Sequence, residues 1–89
     1  MSEGYPIAVK VISQKGDCSA GHKTGDAWLI RDGKTPPGMC IYAFDAIFTF
    51  SRVLALGGTF PWESDPDACT VACPDAENPV VFELRKQKE

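Results

Sequence analysis

Four short segments of the chain are rich in β-branched residues or alternate between apolar and polar residues, which is typical of β-strands with one buried face. The clearest is Val80–Arg85, in which Val80, Phe82 and Leu84 are predicted to point inward and the residues between them outward. Polar stretches that contain glycine or proline separate these segments and predict turns. The predicted strands are residues 8–13, 27–31, 70–73 and 80–85.

The longest regular segment, residues 40–56, predicts a helix. On a helical wheel a narrow polar stripe runs along one side of it, and we expect the opposite side to face the sheet. Because most of the remaining positions are apolar, we expect the helix to be buried on most of its circumference. The Gly57–Gly58 pair predicts its end. The polar stripe is Asp45, Thr49 and Arg52, and the opposite positions are Ala43, Ile47, Phe50 and Leu54.

The order β-β-α-β-β with short connections predicts an α+β fold, in which one helix packs on a small, mostly antiparallel four-stranded sheet. A chain of 89 residues is expected to form a single domain, because two separate cores would each be too small. Residues 1–6 and 87–89 are expected to be loose. The pattern does not predict the order of the strands in the sheet.

The charge of the chain limits which classes of partner we expect. Nine basic and twelve acidic residues give a net charge of −3, whereas nucleic-acid phosphates require a basic surface, so we expect no nucleic-acid partner. Asp45 and Arg52 make membrane insertion of the apolar helix unfavourable, so we expect no membrane partner. The first residues lack the basic-then-apolar pattern of a signal peptide, and we expect a soluble, cytoplasmic protein.

Residues 63–77 contain five acidic residues and no basic one, and we interpret this segment as a solvated loop. Its spacing lacks the EF-hand pattern of calcium sites. Trp62, which directly precedes it, is expected to pack over the edge of the sheet, with a role as a ligand platform as the alternative. If the protein has a protein partner, the loop Phe60–Asp67 is the predicted docking segment.

The candidate chemistry lies in four cysteines and the single histidine. Because the first residues lack the pattern of a signal peptide, we consider reduced thiols, a metal site or a redox role before we consider disulfides. Cys18 and His22 lie four residues apart in a glycine-containing loop, where both side chains can turn toward one point. Cys40 falls in the first turn of the predicted helix, where the helix dipole favours a thiolate.

Cys69 and Cys73 cannot both belong to that site if the segment between them is extended. Four extended steps separate their α-carbons by about 13 Å, which is too far for a disulfide or for a shared tetrahedral ion. We choose Cys73, because it precedes Pro74 at the end of a predicted strand and can turn toward a loop.

These considerations predict a metal site with zinc, or iron in its place, held by Cys18, His22, Cys40 and Cys73. Two alternatives stay open. The first is a thiol-dependent redox or catalytic protein in which His22 assists Cys18 or Cys40. The second is an interaction module without a metal, in which the cysteines are small apolar side chains and His22 faces solvent. Redox Cys-x-x-Cys, cysteine-protease, phosphate-loop and serine-hydrolase motifs do not occur, so no catalytic residue is assigned and enzyme activity stays open.

Four ordered blocks also carry a resemblance: K-G-D-C-S-A-G-H-K-T-G-D at 15–26, G-M-C-I-Y-A-F at 38–44, G-G-T-F-P-W-E at 57–63 and A-C-P-D-A-E-N-P-V-V-F-E-L at 72–84. Over nearly its whole length the chain resembles a family of small, functionally uncharacterised proteins found mainly in bacteria and archaea. The resemblance implies characteristic cysteines at Cys18, Cys40 and Cys73, with none at Cys69. It implies no particular activity.

Overall fold

The computed structural model describes residues 4–88. Its elements in chain order are β1 (Ile7–Gln14), β2 (Ala27–Ile30), α1 (Ile41–Ala55), β3 (Ala68–Ala72) and β4 (Val80–Lys86). The strands form one sheet in the order β2-β1-β4-β3, and every neighbouring pair is antiparallel. The predicted α+β fold, with one helix on a four-stranded antiparallel sheet, is therefore confirmed.

The core lies between α1 and one face of the sheet. Strand alternation places Ile7, Val9 and Val11 of β1 on this face, up to a register shift after Val11. The inward positions predicted for β4, Val80, Phe82 and Leu84, are confirmed. The helix contributes its predicted inner side, with Phe50 partly buried and the hydroxyl of Ser51 bonded to the Phe48 carbonyl oxygen at 2.8 Å. The core residues include Ile7, Val9, Val11, Ala43, Ile47, Leu54, Cys69, Val71, Val80, Phe82 and Leu84.

The helix is much less buried than its apolar sequence predicts. Ile41 and Tyr42 are 74% and 71% exposed, and Phe48 is 49% exposed. Since the sheet covers only one side of α1 and the described chain supplies no third layer, the apolar residues on the outer side face solvent. The expectation of burial on most of the circumference is wrong, whereas the polar stripe of Asp45, Thr49 and Arg52 is exposed as predicted.

Two carboxylates of the acidic segment are paired with basic residues at the end of β4 and just after it. Asp65 binds the guanidinium of Arg85 at 2.8 Å, and Asp67 binds the ammonium of Lys88 at 3.0 Å. The interpretation of residues 63–77 as a merely solvated loop is therefore wrong for these two carboxylates. Their partners could not be predicted from the local sequence, because they lie about twenty residues further along the chain.

Residues near both ends of the described part of the chain make backbone hydrogen bonds to the rest of the fold. The amide of Tyr5 donates to the Ala55 carbonyl oxygen, and the amide of Gln87 donates to the Pro6 carbonyl oxygen, each at 2.9 Å. The looseness expected of residues 1–6 and 87–89 stays a prediction, and residues 1–3 and 89 lie outside the described part of the chain. Among residues 4–88, no helix has the length and apolar character that crossing a membrane requires.

Candidate functional site

Three segments that are distant in sequence meet at one end of the sheet. Because β1 and β4 are antiparallel neighbours, the connection after β1 and the turn before β4 lie at the same end. The amide of Lys15 donates to the Pro79 carbonyl oxygen, and the amide of Asp17 donates to Oδ1 of Asn78, both at 3.0 Å. Helix α1 begins at the same end, which adds the third segment.

These segments enclose a cavity of about 460 Å³, which we call the thiol cavity. Its buried lining comes from His22, Ala43, Val80 and Phe82, and exposed residues of the two connections border it. All four residues of the predicted site line it: Cys18, His22, Cys40 and Cys73. The structure thus brings together the side chains that the sequence singled out, and the three thiols are free and partly buried.

His22 is a buried residue of this cavity, with 6% of its surface exposed. Its Nε2 atom accepts a hydrogen bond from the backbone amide of Cys40 at 3.0 Å. Its ring meets the ring of Trp28 edge-on, with 4.9 Å between centroids. The alternative in which His22 faces solvent is therefore wrong. An acceptor Nε2 carries no proton, so the neutral ring carries its proton on Nδ1.

Cys40 immediately precedes α1, because the helix begins at Ile41, one residue later than predicted. Its backbone is extended, and its side chain makes no capping hydrogen bond to the helix. The sulfur therefore makes no hydrogen bond to the helix end, and the residue lines the thiol cavity. The first amides of α1 follow Cys40 directly in the chain, and such amides together with the helix dipole interact favourably with a negatively charged group.

Cys73 directly follows β3, and Val80 fixes its position. The Cys73 amide donates to the Val80 carbonyl oxygen at 2.9 Å, while the Val80 amide donates to Sγ of Cys73 at 3.3 Å. Cys18 lies in a tight turn in which its carbonyl oxygen accepts from the Gly21 amide at 2.9 Å. Backbone hydrogen bonds thus fix the positions of Cys18 and Cys73 at this end of the sheet.

Cys69 belongs to a different environment, as the argument from extended spacing predicts. It is 1% exposed and packs in the core beneath α1. Burial, and secondarily the charge of Glu63, raises the pKa of its thiol to about 11. At neutral pH this thiol is therefore protonated and acts as an apolar core side chain.

The predicted ligands share a cavity without forming a coordination sphere. Within residues 4–88, no three side chains of His, Cys, Asp or Glu are arranged closely enough to hold a metal ion. Nε2 of His22 is also already engaged by the Cys40 amide. A metal held by all four residues would therefore require side chains to move. A neutral His22 that ligated through either ring nitrogen would also have to give up that bond, because its single proton would then lie on Nε2 or Nε2 would hold the metal.

Two residues that the sequence analysis did not single out hold the cavity together. The side chain of Asn78 bridges the turn before β4 to the loop after β1 through the amide of Asp17. Gly16 passes directly beside Asn78, and a Cβ on Gly16 would lie 2.1 Å from Oδ1 of Asn78. Both positions lie in the polar stretches with glycine or proline that predict turns, but their contact across 62 residues has no local signal in the sequence.

The loop predicted as a docking segment places its tryptophan outward. Trp62 is 66% exposed, with its ring 5.1 Å from that of Phe60. Trp62 is thus mostly exposed and its ring contacts Phe60 of its own loop, which differs from the expected packing over the sheet edge. A protein partner for Phe60–Asp67 stays a prediction.

Comparison of the chain with protein-family models, with curated protein sequences and with solved structures gives no match. The family resemblance noted from the sequence blocks therefore stays a prediction.

Proposed function

We propose that the protein is a thiol-dependent protein that binds a small molecule in the thiol cavity and reacts with it through Cys40. The observation that carries the proposal is the convergence of three free thiols on one cavity of about 460 Å³. This volume lies in the range of roughly 300–1,000 Å³ that is typical of small-molecule sites. It is larger than a single coordinated ion needs.

Cys40 is the preferred reactive thiol because its sulfur makes no capping hydrogen bond and the residue directly precedes the first amides of α1. Cys73 is less free, since its sulfur accepts the Val80 amide. His22 acts as a positioning residue, because its bond to the Cys40 amide fixes the start of α1 against the first loop. Thiols of this kind need a reducing compartment, and the proposal therefore includes the cytoplasm as the location.

The test is the rate at which each cysteine reacts with a small neutral alkylating agent at pH 7, followed by peptide mass mapping. We expect one cavity thiol, Cys40, to react at least about tenfold faster than free cysteine. Cys40→Ser should remove the fast phase, whereas the matched core variant Cys69→Ala should leave it unchanged. Rates at all three cavity thiols no faster than that of free cysteine would contradict the proposal.

A metal-binding role is the second candidate, favoured by the position of Cys18, His22, Cys40 and Cys73 around one cavity. Thiolates and imidazole suit zinc, or iron. With Nε2 of His22 engaged, a three-thiolate site with an open position is the arrangement that needs the least rearrangement.

Elemental analysis of protein purified without added metal distinguishes the two candidates. A metal-binding protein should contain about one zinc or iron per chain and should lose thermal stability on chelation, since metal binding and folding are coupled. A metal-free protein with an unchanged melting temperature and a fast thiol would support the first proposal and reject the second.

A further inference from the structure

The outer side of α1 carries an ordered stripe of residues that the thiol cavity does not use. We call it the outer stripe: Ile41, Asp45, Phe48, Arg52 and Leu56. At 100° per residue these positions fall within about 80° of one another. Ile41 is 74% exposed, Phe48 49% and Leu56 60%, and both charged residues are exposed. Within residues 4–88, neither Asp45 nor Arg52 takes part in an ion pair.

The outer stripe can pair with the outer stripe of a second copy when the two α1 helices run antiparallel. When a second α1 is laid antiparallel against the first with its centre at Phe48 and Thr49, residues whose numbers add to 97 lie at the same height. Asp45 then lies opposite Arg52 of the second copy, and Ile41 lies opposite Leu56 of the second copy. Both pairs occur twice, as a twofold axis requires.

The charges also favour the antiparallel arrangement of the two helices over the parallel one. In a parallel pair, Asp45 would face Asp45 of the second copy and Arg52 would face Arg52 of the second copy, and both contacts would be repulsive. In the antiparallel pair the same two residues form two ion pairs. Arg52 and Asp45 are seven residues, or about 10 Å, apart along the helix, so they do not pair within one chain.

A second cavity lies beside the same stripe and gives the apolar ends a place to pack. It has a volume of about 380 Å³ and is lined on the helix side by Phe44, Phe48, Arg52 and Leu56. Across from them lie Tyr5, which is 45% exposed, and residues 30–35. In the antiparallel arrangement, Ile41 of the second copy lies beside Leu56 at the edge of this cavity. Buried aliphatic or aromatic anchors in such pockets supply much of the affinity of an interface.

We propose that a second copy of this chain covers the outer stripe, with the two α1 helices packed antiparallel about a twofold axis near Phe48. The interface buries Ile41, Phe48 and Leu56 and pairs Asp45 with Arg52 in both directions. It lies on the helix side that faces away from the sheet, so it neither uses nor closes the buried lining of the thiol cavity.

The test measures the molecular mass by sedimentation equilibrium from about 5 µM to about 1 mM chain. We expect twice the chain mass of 9.7 kDa at the higher concentrations. Asp45→Arg alone and Arg52→Asp alone should each weaken the dimer at least about tenfold. The double variant Asp45→Arg/Arg52→Asp should restore it, because the reversed charges are complementary again. Lys10→Glu, a charge reversal on the far face of the sheet, is the matched control and should leave the dimer intact.

A mixture of the two single variants separates the interface from any effect on folding. One variant then presents two arginines and the other two aspartates, so the mixed pair should form a heterodimer although neither variant pairs with itself. Phe48→Glu should give a monomer at every concentration. A chain that stays monomeric at about 1 mM, a dimer that Phe48→Glu leaves intact, or a mixture that fails to associate would overturn the proposal.

Discussion

The imidazole of His22 accepts a hydrogen bond from the backbone amide of Cys40 and thereby joins the loop after β1 to the start of α1. The bond is 3.0 Å long, spans 18 residues of sequence and lies beneath the thiol cavity. It gives the single histidine a role in holding the site together, and it occupies the nitrogen that a shared metal would otherwise use. The consequences of this and of neighbouring contacts can be measured.

Replacing His22 with alanine should destabilise the protein. The change removes the acceptor of the Cys40 amide and the edge contact with Trp28, and it leaves a void in a buried position. We expect a loss of about 2–4 kcal/mol in the free energy of unfolding, measured by urea denaturation. His22→Gln, whose amide oxygen can accept the same hydrogen bond, should recover part of the loss. Equal stability of His22→Ala and the natural protein would show that the bond is unimportant.

Gly16→Ala should cost more stability than Gly21→Ala. Both glycines have a positive φ, 71° and 80°, so both substitutions strain the backbone. Only at Gly16 does the new Cβ also collide with Asn78, whereas at Gly21 it meets open space. The difference between the two variants should be about 1–3 kcal/mol, measured by thermal or urea unfolding. No difference would mean that the loop after β1 does not depend on its fit against Asn78.

Cys69 should make the protein less stable at alkaline pH. Its thiol has a pKa of about 11 in the folded state because it is buried, whereas the ordinary value for a cysteine thiol is 9.0. Between these values the unfolded state loses the proton first, so the free energy of unfolding falls as pH rises, by at most about 1.4 kcal/mol per pH unit. Cys69→Ala should show a flatter decline over this range. An identical pH profile for the variant and the natural protein would show that ionisation of Cys69 does not cause the loss of stability.

Asp65 and Asp67 should make the protein less stable in acid. The pKa of Asp65 is lowered by the Asp67 amide and by Arg85, and the pKa of Asp67 is lowered chiefly by Lys88. As pH falls, the unfolded state takes up protons before the folded carboxylates do, so stability is lost as pH falls through the lowered pKa values. Asp65→Asn should reduce this dependence, measured as the change of urea midpoint with pH.

Glu77→Gln is the matched control for the acid experiment, because it removes one carboxylate from the same acidic segment. Within the described residues, only the backbone amide of Glu77 makes a hydrogen bond. The control should retain the natural pH dependence. If both variants changed it equally, the general charge of the segment would be responsible rather than the pairing of Asp65 with Arg85.

The local pattern of the sequence was sufficient for the fold class. Alternation in Val80–Arg85 predicted which residues point into the core, and helical periodicity predicted the exposed stripe of Asp45, Thr49 and Arg52. These predictions succeed because side-chain direction in a strand or helix depends on the backbone period alone. The same reasoning separated Cys69 from Cys73, since an extended segment cannot bring both sulfurs to one point.

Only the tertiary structure decided which residues contact one another across the chain. The partner of His22 is a backbone amide 18 residues away, and the partners of Asp65 and Asp67 lie in β4 and just after it. The exposure of Ile41 and Phe48 follows from the absence, in the described chain, of a layer above α1. Periodicity specifies which side of an element is apolar, but what covers that side depends on the strand order and on the paths of the connections.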